Sequence, residues 1–381
     1  MAQQRIPAAF IRGGTSKGVF FHERDLPPEQ AARDRIFLEV IGSPDPYKRQ
    51  LNGLGGGVSS LSKVVIIERS DRDDADIDYT FVQIGVDEAV VDYSSMCGNL
   101  SSAVGPFAVD EDLIKTTGDE TLVRVFNTNT QKVYHARFPV RDGKAVVTGD
   151  QSIPGVAGSG ARVALEYLDP GGSRTAALLP TGNVTDTIEL PDGTAITATL
   201  VDATNPVVVV AASDFGCTAT ETPEALDARL ELMARIETVR RLAGVKMGMG
   251  RAPGEIPHAV PKIVLVAPPV AFEDLSGQAH AASAIDISAR AVSMGQVHRA
   301  LPLTLSMCLA CATRIEGSVA QTLARDIPAT ADVRLGNPSG IIVAGAELLR
   351  ASDGTWTAKV CRVVRTQRRL MDGHVLLPEP T

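Results

Sequence analysis

Ser94-Ser95-Met96-Cys97-Gly98-Asn99-Leu100-Ser101-Ser102-Ala103-Val104-Gly105-Pro106-Phe107-Ala108-Val109 is the stretch from which the rest of the chain can be read. It follows a strand-like run ending at Val91-Asp92-Tyr93, and Leu100 to Val109 is small and apolar enough to form a buried helix. Cys97 then stands at a helix mouth, where unpaired N–H groups and the positive end of the dipole favour negative charge. Such a place can lower a thiol's pKa or hold a carboxylate. Taken alone, Cys97 also reads as a small buried cysteine ahead of an ordinary helix.

Upstream, Ile6 to Ile11 and Val19 to Phe21 read as two strands joined by the tight turn Arg12-Gly13-Gly14-Thr15-Ser16-Lys17-Gly18. Residues 27 to 41 read as a helix opening on Pro27-Pro28-Glu29. A Gly/Ser loop, Gly53 to Ser62, then delivers Lys63 onto the strand Val64 to Ile67. Tyr79 to Ile84 and Ala89 to Tyr93 are strands leading into the Cys97 turn. Leu122 to Asn127, Lys132 to Phe138 and Ala145 to Thr148 alternate in the strand manner beyond it.

The second half repeats this order. Thr194 to Val201, a polar turn at Asp202 to Pro206, and Val207 to Ala212 mirror the opening hairpin. Residues 223 to 243 carry apolar side chains at helical spacing. Lys262-Ile263-Val264-Leu265-Val266 mirrors Lys63-Val64-Val65-Ile66-Ile67, and Ile285 to Val292 reads as a strand. Thr304 to Ala312 matches the buried helix after Cys97, and strands at Gly340 to Ala344 and Thr357 to Arg365 complete the copy. The expectation is an α+β protein of two pseudo-symmetric domains, 1–183 and 184–381. Each is a mixed, barrel-like β-sheet wrapped on a central helix, and the substrate site lies between them, where small-molecule sites are favoured.

A chain of 381 residues is too long for one typical core. Its net charge of −8 argues against nucleic acid or an anionic membrane as the main partner. No run approaches ~18 continuous apolar residues and residues 1–7 lack a signal-peptide core, so the reading is cytoplasmic. Five cysteines in such a chain suit reduced thiols, and Cys308-Leu309-Ala310-Cys311 reads as buried helix interior rather than a metal or redox motif. A dimer is the commonest assembly for enzymes of this kind.

Read from residue type alone, backbone N–H groups in the turn holding Thr15, Ser16 and Lys17 form a nest suited to a carboxylate. Ser59, Ser60 and Ser62 can serve similarly or merely close a loop. Asn99 can cap the helix and bond a carboxylate at once. Thr304 and Ser306 are second-helix caps, His298 precedes Arg299 as a surface or cleft pair, and Ser339 sits in the turn Asn337-Pro338-Ser339-Gly340.

In order and spacing, Arg12 to Gly18, Gly42-Ser43-Pro44-Asp45-Pro46, the loop ending at Ser62-Lys63, Cys97-Gly98-Asn99, Leu179 to Asn183 and Asn337 to Gly340 resemble the PrpF family. That family includes 2-methylaconitate isomerase, 3-methylitaconate Δ-isomerase and 4-oxalomesaconate tautomerase, and is related in fold to diaminopimelate epimerase. The resemblance covers most of the chain. It implies a proton-transfer enzyme without metal or organic cofactor, acting on a small unsaturated di- or tricarboxylic acid. Lys63 and Cys97 are then its acid/base pair, and Thr15, Ser16, Lys17, Ser59, Ser60, Ser62, Gly98, Asn99, His298, Thr304, Ser306 and Ser339 its binding residues.

In the related epimerase fold two cysteines face each other. Here the second helix mouth carries Thr304 and Ser306 instead, with Cys308 a turn deeper, which favours a lysine–thiol pair over two thiols. A lysine ordinarily titrates near ~10.4 and serves as base only where burial or a neighbouring cation lowers that value. The helix mouth, Arg12 and Lys17 are the expected sources, and would also stabilise a dienolate. The alternatives are an amino- or hydroxy-acid racemase of the same fold, and a non-catalytic carboxylate-binding accessory protein for an aconitase-like partner.

Overall fold

The computed structural model describes residues 3–93 and 96–378, so that Ser94 and Ser95 at the head of the quoted stretch lie outside the described residues. The chain divides into two compact units, 3–166 with 364–378 and 167–363. This division departs from a single cut at 183, because the last strand, Gln367–Leu377, returns to the first. It pairs antiparallel with Gln4–Gly13 in the first unit, from Gln4↔Leu377 to Gly13↔Gln367. Strand propensity carries no information about which strand a segment pairs with, and so the return is not visible in the sequence.

In the first unit Gln4–Gly13 and Ser16–His22 form the opening hairpin, closed at Gly13↔Ser16. Ser16–His22 runs parallel to Lys63–Arg69, which is antiparallel to Ile77–Ile84 with Lys63 opposite Gln83. Ile77–Ile84 is parallel to Glu120–Asn127, which is antiparallel to Lys132–Arg141. Ser16–His22 and Lys63–Arg69, covered on both faces, read as near-continuous apolar runs, whereas Ile77–Ile84 and Lys132–Arg141 alternate buried with half-buried residues. Val19, Phe21, Val64, Ile66, Val82 and Ile84 pack outward with the helix Gln30–Ile41. The intervening residues point inward at the helix Ser101–Asp110, whose first nine residues are buried. Phe20 meets Phe107 of that helix at 5.5 Å between ring centroids, and Gly105 leaves room for Phe138 and Ala136.

The second unit repeats the pairing signs in the same order. Ala195–Asp202 and Pro206–Ala211 form its hairpin, and Pro206–Ala211 is parallel to Lys262–Ala267. That strand is antiparallel to Ile287–Ser293, which is parallel to Val333–Asn337, itself antiparallel to Gly340–Arg350. An outer helix, Leu230–Lys246, packs on Ile263 and Leu265, and the inner helix Leu303–Ala312 is buried all round but for Thr304. A helix apolar on every face belongs inside a core. The α+β class with two like units therefore holds. Local boundaries moved: 223–243 splits into Pro223–Asp227, capped by Thr222, and Leu230–Lys246, while Ala145–Thr148 shrinks to Lys144–Ala145.

Cys308 and Cys311 are fully buried, with the Cys311 sulfur 3.2 Å from that of Cys361. Burial raises the Cys308 thiol well above its ordinary pKa. Among the described residues all five cysteines are free, and no helix is long and apolar enough to cross a membrane.

Candidate active site

Strand alternation decides which side chains of the first unit reach the mouth of the inner helix. Val64 and Ile66 belong to the outer core, so Lys63, Val65 and Ile67 face inward. By the same phase Tyr79, Phe81 and Gln83 face inward on the next strand, and Ser16, Gly18 and Phe20 on the hairpin. Lys63 is 8% exposed, and no carboxylate pairs with it among the described residues. Its Nζ donates to Gln83 Oε1 at 2.6 Å and lies 4.9 Å from the centre of the Phe81 ring. Gln83 in turn donates through Nε2 to the carbonyls of Ser62, Ser59 and Ile84 at 2.9, 3.1 and 3.2 Å. Those carbonyls accept only, which fixes the amide orientation and aims Oε1 at the lysine.

The turn Cys97 to Leu100 is built onto the helix from below. The Cys97 carbonyl accepts from the N–H of Ser101 at 3.0 Å, from the Ser101 hydroxyl at 3.0 Å and from the Tyr79 hydroxyl at 3.4 Å. Its thiol, 8% exposed, lies 4.0 Å from the Ser16 hydroxyl. Asn99 donates to Thr15 Oγ1 at 3.1 Å and accepts from Arg365 Nε at 3.4 Å. The glycines of the hairpin turn make this contact possible. A Cβ on Gly13 would stand 2.7 Å from the Asn99 carbonyl oxygen, and one on Gly14, whose φ is +51°, 2.3 Å from Asn99 Oδ1. A Cβ on Gly18 would stand 2.9 Å from the Lys63 carbonyl oxygen. The turn 12–18, the start of the Lys63 strand and the turn 97–100 therefore converge on one end of the inner helix.

Other expected residues are placed differently. Lys17 alternates to the outer face, with Nζ 5.4 Å from the Phe10 ring centre and away from the Ser16 side. Arg12 donates to the Gly14 and Thr366 carbonyls, and burial, with Arg368 nearby, lowers its pKa. Its guanidinium thus locks the hairpin tip onto the returning strand, so the cationic field expected of Arg12 and Lys17 is not what faces Cys97. Ser62 has no exposed surface and donates to Gln50 and Val58, which makes it part of the loop framework. Ser60 is half-buried beside the exposed Ser59, and Gly98 is buried within the turn.

In the second unit Ser306 is buried and bonds back to Pro302, while the half-buried Thr304 accepts at its carbonyl from Thr204 Oγ1 at 2.9 Å. Ser339 donates to the Arg299 carbonyl at 2.5 Å, next to His298. Burial, with Lys262 nearby, lowers the His298 pKa to about 4. A surface cleft beside the outer helix of the first unit, lined by Glu39, Pro44, Tyr47, Arg49 and Leu51, holds none of the expected groups.

Gln83, Phe81 and Arg365 are the neighbours that sequence reasoning missed. The phase of Tyr79-Thr80-Phe81-Val82-Gln83-Ile84 puts a polar residue last on the inward face, a signal that becomes legible only when the register opposite Lys63 is known.

Chemically, a buried ammonium held by a neutral amide, a thiol at a helix mouth and a hydroxyl beside it can exchange protons with a bound acid and support negative charge. The PrpF protein family model matches residues 3–378. The chain is 39% identical over 377 residues to the 3-methylitaconate isomerase of Eubacterium barkeri, covering 98% of this chain and 97% of that protein. It is 38% identical to the 4-oxalomesaconate tautomerase of Pseudomonas putida, covering 100% and 98%, and 37% identical to the 2-methyl-aconitate isomerase of Shewanella oneidensis, covering 99% and 98%. A crystal structure of methylitaconate-delta-isomerase superposes with a TM-score of 0.91 at 38% identity, over 99% of this chain and 96% of that one. A hydroxyproline epimerase of Agrobacterium vitis, at 12% identity and a TM-score of 0.54 over 99% and 94% of the two chains, shares the fold alone.

Proposed function

This chain belongs to the PrpF family and is an isomerase, and from that premise we propose that it shifts or rotates the C=C bond of a small unsaturated di- or tricarboxylic acid by allylic proton transfer. The acids concerned are of the methylitaconate, methylaconitate, oxalomesaconate or aconitate type. Lys63 and Cys97 are the acid/base groups. One removes a proton from the carbon allylic to the double bond, and the electron pair delocalises into the conjugated carboxylate as a dienolate. The other returns a proton two carbons away, which leaves the first group protonated and the second deprotonated until proton exchange with solvent resets them, or the first returns its proton to the same carbon after rotation and is itself restored; either way the acid leaves as an isomer.

The observation that supports this most is the convergence of Lys63, Ser16 and Cys97 on one inner sheet face at the mouth of a buried helix. Lys63 has no carboxylate partner there among the described residues, so its charge is available to an anionic substrate. In this reading Thr15, Ser16 and Asn99 donate to a substrate carboxylate, and the helix N-terminus favours the charge that develops. The test is a proton NMR panel of the four acids in deuterated buffer with catalytic amounts of the protein. Deuterium entering an allylic position of one acid, with appearance of its double-bond isomer, is expected. Binding without exchange of any of them would overturn the reading in favour of an accessory carboxylate binder.

A further inference from the structure

The strand Ile77–Ile84 changes partners part-way along one edge. It runs parallel to Glu120–Asn127 as far as Tyr79↔Asn127, and antiparallel to Val91–Asp92 from Gln83↔Asp92 onward. Phe81 falls between the two ladders, and a side chain meets it there. Asn129 Oδ1 accepts from the Phe81 N–H at 2.8 Å, and Asn129 Nδ2 donates to the Phe81 carbonyl at 2.9 Å. The amide thus exchanges both bonds with Phe81, as a facing residue of an antiparallel sheet would. A backbone N–H only donates and a carbonyl only accepts, so the pairing also fixes which way round the amide sits.

The same Nδ2 donates at 2.8 Å to the carbonyl of Tyr93, the last described residue ahead of the Cys97 turn. Asn129 is held in turn by Asn127, which has no exposed surface. Asn127 Nδ2 donates to Asn129 Oδ1 at 3.1 Å and to the Tyr79 carbonyl at 3.2 Å, and its Oδ1 accepts from the Thr130 N–H and hydroxyl at 2.9 and 2.7 Å. The two bonds to Phe81 would suffice to close the gap in the ladder. The third does something further, because it fixes the exit of Val91–Asp92 against Phe81, whose ring centre lies 4.9 Å from Lys63 Nζ.

We infer that Asn129 is a positioning residue, whose amide holds Phe81, and through it Lys63, in place relative to the segment that leads into Cys97. This rests on the reading of Lys63 and Cys97 as the acid/base pair of an isomerase. Asn129 acts through the backbone and takes no part in proton transfer.

Asn129→Ala removes all three bonds, and Asn129→Asp keeps the shape and the acceptor for Phe81 while losing both donations. Thr128→Val is the control. It deletes a hydroxyl from the adjacent residue, one bonded to Thr80 Oγ1 at 2.6 Å and to the Tyr79 carbonyl at 3.3 Å, and so disturbs the same turn without touching the bonds to Phe81 and Tyr93. Three readouts are taken well below melting: kcat on whichever acid exchanges its protons, the pH profile of that kcat, and the rate of Cys97 alkylation by iodoacetamide, mapped by mass spectrometry. Both Asn129 variants are expected to lower kcat about tenfold or more, since misplacement by about 1 Å costs on the order of a hundredfold. They are also expected to move the pH of half-maximal kcat, which a mere loss of folded protein leaves where it is, and to speed Cys97 alkylation about threefold or more. Thr128→Val is expected to stay within about threefold of wild type in both rates. Folded Asn129 variants that match Thr128→Val in all three readouts overturn the positioning role, and a wild type active on one acid then keeps the isomerase reading. A fall in kcat with unchanged profile and unchanged labelling marks a structural loss alone and overturns it as well. Faster Cys97 labelling in the Asn129 variants of a protein that exchanges no acid does the reverse, supporting the placement of the thiol while removing the isomerase.

Discussion

Gly13→Ala is the sharpest perturbation of the proposed centre that leaves every polar group in place. The added Cβ would meet the Asn99 carbonyl oxygen at 2.7 Å and Leu100 Cα at 2.9 Å, both backbone atoms, whereas ordinary contact begins at 3.4 Å. The hairpin tip cannot simply retreat, because Gly14 donates to the Thr366 carbonyl at 3.0 Å and Arg12 grips the same oxygen from the side. Relief therefore requires the tip and the Cys97 turn to part by roughly half an ångström or more. Overpacking of this kind costs about 1–3 kcal/mol. For a unit of this size that is a fall in melting temperature of about 2–4 °C per kcal/mol. The catalytic loss should be larger in proportion, since Ser16 and Cys97 ride on the two parts being separated, and misplacement by about 1 Å costs on the order of a hundredfold. Calorimetric melting and kcat on the exchanging acid are the assays. Gly254→Ala is the control, with nothing near its added Cβ, and should stay within about 0.5 kcal/mol. Gly13→Ala indistinguishable from that control in both assays would refute the proposed coupling between the glycine turn and the thiol.

Three further outcomes are expected. Lys63→Met and Cys97→Ser each lower kcat by about 10²–10⁴-fold with melting changed by only a few degrees, measured by single-acid NMR turnover, and near-normal rates in both would remove the pair from the chemistry. Gln83→Leu, which strips the acceptor from Lys63 and frees three carbonyls, should lower kcat about tenfold or more, while Gln83→Glu keeps the shape but turns the accepting edge of Gln83 toward those carbonyls and should not rescue it. Because His298 is held well below the usual histidine value by burial, with Lys262 nearby, its protonation favours the unfolded chain. Stability is expected in full above about pH 6.5 and to be lost as pH falls toward about 4, and thermal melts of His298→Gln across that window should show a shallower slope.

The repeat of elements was legible because hydrophobic runs, glycine turns and charged strand starts recur in both halves, and local chemistry writes those features directly. Lys63, Cys97, Ser16 and Asn99 were legible for the same reason, since each sits at an element boundary that the sequence marks. Register was not legible. Lys17 and Ser16 are adjacent and equally polar, yet one residue of alternation sends the first toward Phe10 and the second toward Cys97. Ser62 shows the same limit from another side. Its neighbourhood looks like an anion-binding loop, but the hydroxyl closes the loop on Gln50, a residue that no spacing rule connects to it. Gln83 matters through Lys63, which stands opposite it across a ladder, and opposition is a property of pairing rather than of any single strand.

The returning strand Gln367–Leu377 also sets the order in which the chain can mature on the ribosome. The unit spanning 167–363 is contiguous and has all its strands once residue 363 has emerged. In the unit that begins at the N-terminus, Gln4–Gly13 is paired on one edge by Ser16–His22 but lacks its second partner until the final strand is translated. Vectorial synthesis, which ordinarily lets the first domain settle first, is thereby inverted. The half bearing Lys63 and Cys97 waits with an open edge while the later half closes, and a nascent chain stalled short of residue 367 would present that edge to chaperones.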